Sequence, residues 1–241
     1  LDTGGGPKEN DGPPVSKNGS IYSVPMISRQ AGPLCAGLIK YKERDTLLGE
    51  ILMSSDSNGL ANPVVLGLYG FALAVILLSV HNLGFFGMDA TIMAAAVFMG
   101  GIAQLIAGLM EFKRNTMFTG TVFTLLGLFW IAFGVLQAGA LGAPAGVLGS
   151  PEHTSLSTFF LIFTILVVFM TFGTFKSPKS FIVTFVLIDL TLILLTSGAF
   201  LEMEALTKAG GAFGILAGAG AVYIASAEMY AEQYKKQILP L

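Results

Sequence analysis

The chain has 241 residues, of which 54% are apolar and only 12% charged, with a mean hydropathy of +0.75 and a formal net charge of -2. A soluble globular domain carries about a quarter charged residues, so this composition excludes one, and the near-neutral charge gives nucleic acid no footing. The single cysteine, Cys35, excludes an intrachain disulfide.

Charge is unevenly spread. Residues 1–60 hold 13 of the charged residues, and the following 181 hold the other 15. Gly4-Gly5-Gly6-Pro7 and Gly12-Pro13-Pro14 oppose regular helix, so 1–60 reads as a polar, largely disordered cytoplasmic tail. A short interfacial helix over 41–53 is its one candidate element. The first apolar run begins near Asn62, beyond the reach of a cleavable signal peptide, so none is expected.

Beyond the tail the apolar runs reach bilayer length, since about 20 residues of helix cross the hydrocarbon. They cover 63–80, 89–111, 116–138, 155–175, 180–200 and 209–227, the last able to continue as helix to 233. Strands of a barrel would be shorter and alternating. The expected fold is therefore an all-α integral membrane protein with six transmembrane helices. Its transport domain covers 61–234, and a short cytoplasmic C-terminus covers 235–241.

An even number of spans puts both termini on one side. That side receives twelve of the thirteen basic residues, leaving only Lys208 opposite, so both termini are expected to be cytoplasmic. Gly210, Gly214 and Gly218 form a smooth stripe on the sixth span, where another helix can approach closely, within or between subunits. Gly100 and Gly108 do the same on the second span, with Gln104 between them needing a hydrogen-bond partner.

Four further features carry chemistry. Asn62-Pro63 opens the first span, either as a helix cap or as an N-terminus whose N–H groups attract a carboxylate. His81 and Asn82 close that span, where they cap carbonyls or receive an anion at the external mouth. Asp189 lies mid-way along the fifth span, and an ionisable group there is costly and by default functional, which makes it the candidate for proton coupling. Glu111 beside Lys113 and Arg114 reads as an interfacial charge cluster. No catalytic constellation, glycine-rich phosphate loop or Cys/His metal spacing is found, so no enzyme activity, cofactor or metal is expected.

The ordered set Ala61-Asn62-Pro63-Val64-Val65-Leu66-Gly67-Leu68-Tyr69-Gly70-Phe71, His81-Asn82-Leu83-Gly84, Gly100-Gly101-Ile102-Ala103-Gln104, Phe129-Trp130, Phe172-Gly173-Thr174 and Ile238-Leu239-Pro240 resembles the acetate uptake transporters. These include bacterial succinate–acetate permeases and fungal acetate and ammonia-export-type proteins. The resemblance covers about 60–241 and implies a six-helix subunit of a homo-oligomer, a hexameric ring with one pore per subunit. It implies transport of acetate, and in some members succinate, as a channel or by proton symport across the cell membrane. A hydrophobic constriction is implied at Phe71, Leu126 and Ile188, with Leu126 standing where many members carry tyrosine. Asn62, Pro63, Gln104, His81 and Asn82 are the substrate-binding candidates. Two alternatives stand beside this reading: an ammonia or ammonium transporter, and a non-transporting membrane sensor acting through its tail.

Overall fold

The computed structural model describes residues 60–140 and 152–241. The expectations for the tail up to residue 59, and most of the glycine-rich stretch 139–151, lie outside the described residues. Six helices follow in order: α1 Val64–Asn82, α2 Ala90–Lys113, α3 Met117–Ala140, α4 His153–Gly173, α5 Lys179–Leu201 and α6 Glu204–Tyr234. Each is long and apolar enough to cross a membrane, and no strand occurs among the described residues.

Local chemistry sets the ends. Asn62 accepts the Val64 N–H at 3.1 Å ahead of α1. Asp89 accepts the N–H groups of Thr91 and Ile92 at 2.9 and 3.1 Å ahead of α2. Glu152 does the same for Thr154 and Ser155 at the start of α4, satisfying donors that a helix start leaves open. Several helices outrun the apolar runs in the sequence: α6 begins at Glu204 rather than near 209. Hydropathy marks the stretch lipid can solvate, whereas backbone hydrogen bonding continues into the polar boundary.

Middle turns of α2, Ala95–Ala103, are π-helical, a distortion frequent beside functional sites. Helix α6 packs along both α1 and α5, α2 packs along α1 and α3, and α4 rests mainly on α5. With lipid as solvent, close approach rather than water exclusion holds such helices together. A Cβ on Gly70 would meet the Met99 carbonyl oxygen at 2.5 Å, and one on Gly127 would meet the Leu105 nitrogen at 2.7 Å. The α6 stripe packs against helices of the same chain. Gly210 faces Leu195 of α5, Gly214 faces Ser79 and Thr191, and Gly218 faces Ile76 and Val75 of α1. Phe129 of α3 stacks on Phe163 of α4 with ring centroids 4.2 Å apart, and Thr164 and Thr196 join α4 to α5 at 2.9 Å.

The start of α1, the end of α2 and the last turns of α6 meet at one end, through hydrogen bonds from Arg114 to Asn62 and from Asn62 to Glu228. This is the terminal end of the bundle. His81, Asn82 and the α1–α2 turn lie at the opposite, distal end.

Candidate functional site

A cavity with a volume of about 230 Å³ occupies the distal half of the bundle. Its floor and walls are mainly aromatic and aliphatic: Phe71 and Val75 from α1, Phe129, Trp130 and Phe133 from α3, and Phe160 and Phe163 from α4. Polar groups are few. His81 and Asn82 contribute from the end of α1, Gln137 from α3, Thr191 and Thr196 from α5, and Thr207 from α6. Such a chamber accepts an apolar body and offers amide, hydroxyl and imidazole groups to a carboxylate or amine head.

A smaller cavity, about 30 Å³, lies toward the terminal end, with room for about two waters. Phe118, Phe123, Phe181 and Phe185 line it, with Thr119, Thr184 and Gln104 supplying its polar groups. Gln104 is fully buried, and neither its Oε1 nor its Nε2 meets a hydrogen-bond partner among the described residues. A buried amide left so costs about 1–3 kcal/mol, so its position is not explained by stability. It follows directly on the π-helical turns of α2.

The two cavities have three lining residues in common: Phe71, Leu126 and Ile188. They come from α1, α3 and α5, and each is at most 7% exposed. Three apolar side chains from three helices therefore separate the distal space from the proximal one. Among the described residues, none of those lining both cavities carries a hydrogen-bonding side chain.

His81 and Asn82 thus line the distal cavity, and Gln104 lines the proximal one. Asn62 and Pro63 line neither. Asn62 is instead engaged on all sides: its Oδ1 accepts from Val64 N–H and from Arg114 at 3.0 Å, and its amide donates to Glu228 at 3.3 Å. Arg114 also pairs with Glu111 at 3.1 Å, and Thr116 and Thr119 donate to the other oxygen of that carboxylate. Asp189 lines neither cavity. Its carboxyl stands beside Thr171 of α4, and its Oδ1 is buried with no partner among the described residues.

Sequence reasoning did not single out the aromatic wall or Glu228. Phe129-Trp130 stood in the quoted motif, yet nothing in an apolar helix tells which phenylalanine faces a cavity and which faces lipid. Glu228 joins Arg114 and Asn62 across 114 and 166 positions of chain, a contact visible only once α6 lies beside α1. Among the described residues no cluster of His, Cys, Asp or Glu could hold a metal ion.

Known proteins share this architecture. Residues 46–240 match the model of the GPR1/FUN34/yaaH family. The Escherichia coli K12 protein named succinate-acetate/proton symporter SatP is 38% identical over 184 residues, covering 76% of this chain and 95% of SatP. Acetate permease A of Emericella nidulans is 33% identical over 190 residues, covering 72% of this chain and 63% of that protein. Ammonia transport outward protein 3 of Saccharomyces cerevisiae is 36% identical over 162 residues, or 65% of this chain and 58% of that one. A solved structure of the bacterial acetate channel SatP superposes with a TM-score of 0.71 at 36% identity, covering 76% of this chain and 99% of that one. The chain belongs to the GPR1/FUN34/yaaH family.

Proposed function

We propose that the chain transports acetate and related small carboxylates across the cell membrane through a pore within each subunit. The route runs from the distal cavity, past Phe71, Leu126 and Ile188, into the proximal cavity beside Gln104. The observation that carries this reading is that, among the described residues, those three apolar side chains alone line both cavities. An apolar narrowing of this kind gates by dewetting. It favours a small solute with an apolar end, of which acetate is the simplest carboxylate example. Amide and hydroxyl groups on either side offer weak, exchangeable binding, which suits passage more than capture.

Among the described residues, Lys113, Arg114, Lys176, Lys179, Lys235 and Lys236 lie at the terminal ends of the helices and only Lys208 at the distal end, which supports a cytoplasmic location for both termini. The distal cavity then faces outward and receives substrate for uptake. Family membership supports a ring of six such subunits, each with its own pore. An ammonium route would draw on carboxylates in the cavity walls, and no Asp or Glu lines either cavity among the described residues.

Uptake of labelled acetate into liposomes reconstituted with the purified protein tests the reading, beside empty vesicles and a Phe71→Ala variant. Flux above the empty vesicles and changed by the substitution is expected. Folded protein that moves ammonium but no short carboxylate would overturn it.

A further inference from the structure

His81 is the one ionisable side chain that lines either cavity among the described residues. Its setting is specific. Gly84, at a φ of +91°, turns the chain back after α1, a conformation a side chain disfavours. The carbonyl of Phe86 is thereby brought to 2.8 Å from His81 Nδ1. A carbonyl oxygen only accepts, so Nδ1 carries the proton and neutral His81 keeps a lone pair on Nε2. That nitrogen repels a carboxylate when bare and donates to it when protonated. Asn82 and Thr207 stand on the same cavity wall with donors of their own.

We propose that His81 is the proton donor of transport: its imidazolium receives a monocarboxylate at the distal mouth and protonates it, so that the neutral acid crosses between Phe71, Leu126 and Ile188. In the step the His81 Nε2–H bond breaks, a carboxyl O–H bond forms, and neutral imidazole remains, to be reprotonated from solvent at the mouth. Two opposite charges become two neutral groups. An aromatic wall favours that exchange, because an apolar environment penalises both the carboxylate and the imidazolium. One proton accompanies each carboxylate, and transport is electroneutral. This rests on the transport reading above and moves proton coupling from Asp189, which lines neither cavity, to α1.

Other charged groups at the distal end are accounted for. Asp89 caps α2, His153 lies 3.7 Å from Glu202, Glu152 caps α4 and Lys208 pairs with Glu204 at 2.7 Å. None lines a cavity.

The experiment is acetate flux into proteoliposomes as the pH on the distal side falls from about 8 to about 5, the range in which histidine changes charge, with empty-vesicle leak subtracted. Wild-type flux rises on the order of tenfold, and His81→Gln flattens the profile at the alkaline level. Asp189→Asn and His153→Gln keep the wild-type profile. Trifluoroacetate, similar in shape but too weak a base for imidazolium to protonate, is the second probe and needs only wild-type protein; it does not pass. An unchanged pH profile in His81→Gln, or trifluoroacetate passing as fast as acetate, overturns the proposal while leaving acetate transport standing. No wild-type flux at any pH removes the transport reading itself.

Discussion

The guanidinium of Arg114 donates to Oδ1 of Asn62 at 3.0 Å, tying the end of α2 to the residue that caps α1. The same nitrogen holds Glu111, which is 2% exposed. Arg114→Ala leaves that carboxylate buried without its cation, a loss of about 3–5 kcal/mol. Asn62→Ala removes a cap and the amide facing Glu228, nearer 1 kcal/mol for the cap itself. Thermal unfolding in detergent is expected to rank Arg114→Ala well below Asn62→Ala; equal melting temperatures would refute the clamp.

Gly127→Ala tests the seam between α2 and α3. Its new Cβ would stand 2.7 Å from the Leu105 nitrogen and 2.8 Å from the Gly101 oxygen, both backbone atoms. Neither can rotate away, so the helices must part, at about 1–3 kcal/mol. Gly87→Ala meets nothing within 4 Å and leaves the melting temperature within error. A Gly127→Ala protein as stable as Gly87→Ala would show that the two helices are not held this closely.

Gln104→Leu separates stability from transport. Removing an amide that lacks a partner among the described residues takes away a desolvation cost, so the variant unfolds at the same temperature as the wild type or higher. Acetate flux falls on the order of tenfold, because the proximal cavity loses its amide. Full flux in Gln104→Leu would assign the residue to packing.

Substitutions at the shared residues move flux in opposite directions. Phe71→Ala opens the passage between the cavities and raises acetate flux several-fold while admitting butyrate. Leu126→Tyr adds bulk at the same level and lowers it. Competition uptake with carboxylates of increasing length reads both; identical selectivity in the two variants would place the narrowing elsewhere.

Glu152 supplies the pH test of the fold. Hydrogen bonds from the Thr154 and Ser155 N–H groups hold its carboxyl below the usual carboxylate value of 4.5. With the folded value depressed, its contribution is complete above that pH and is lost as pH falls through the folded value. Wild-type protein is therefore more stable than Glu152→Gln at neutral pH, and the gap closes as acidification passes through the depressed folded value. A gap independent of pH would mean that the cap works without its charge.

Six spans and their order were legible in the chain itself, with Asn62 as a candidate cap of the first; the Asp89 cap of α2 emerged only in the structure. The legible features are local matters: a helix needs about 20 apolar residues to cross lipid, and a cap needs one side chain within a few positions of free N–H groups. Rotation was not legible. A membrane helix is apolar on every face, so the periodicity that marks the buried side of a soluble helix is absent. Family resemblance pointed to Phe71, Leu126 and Ile188, but only the packing of α1, α3 and α5 brings them between two cavities. Tertiary structure likewise set Asp189 beside α4, left the Gln104 amide without a protein partner among the described residues, and joined Glu228 to Asn62. Each depends on which face of one helix meets which face of another, and that is decided by glycine contacts and side-chain volumes far apart in the chain.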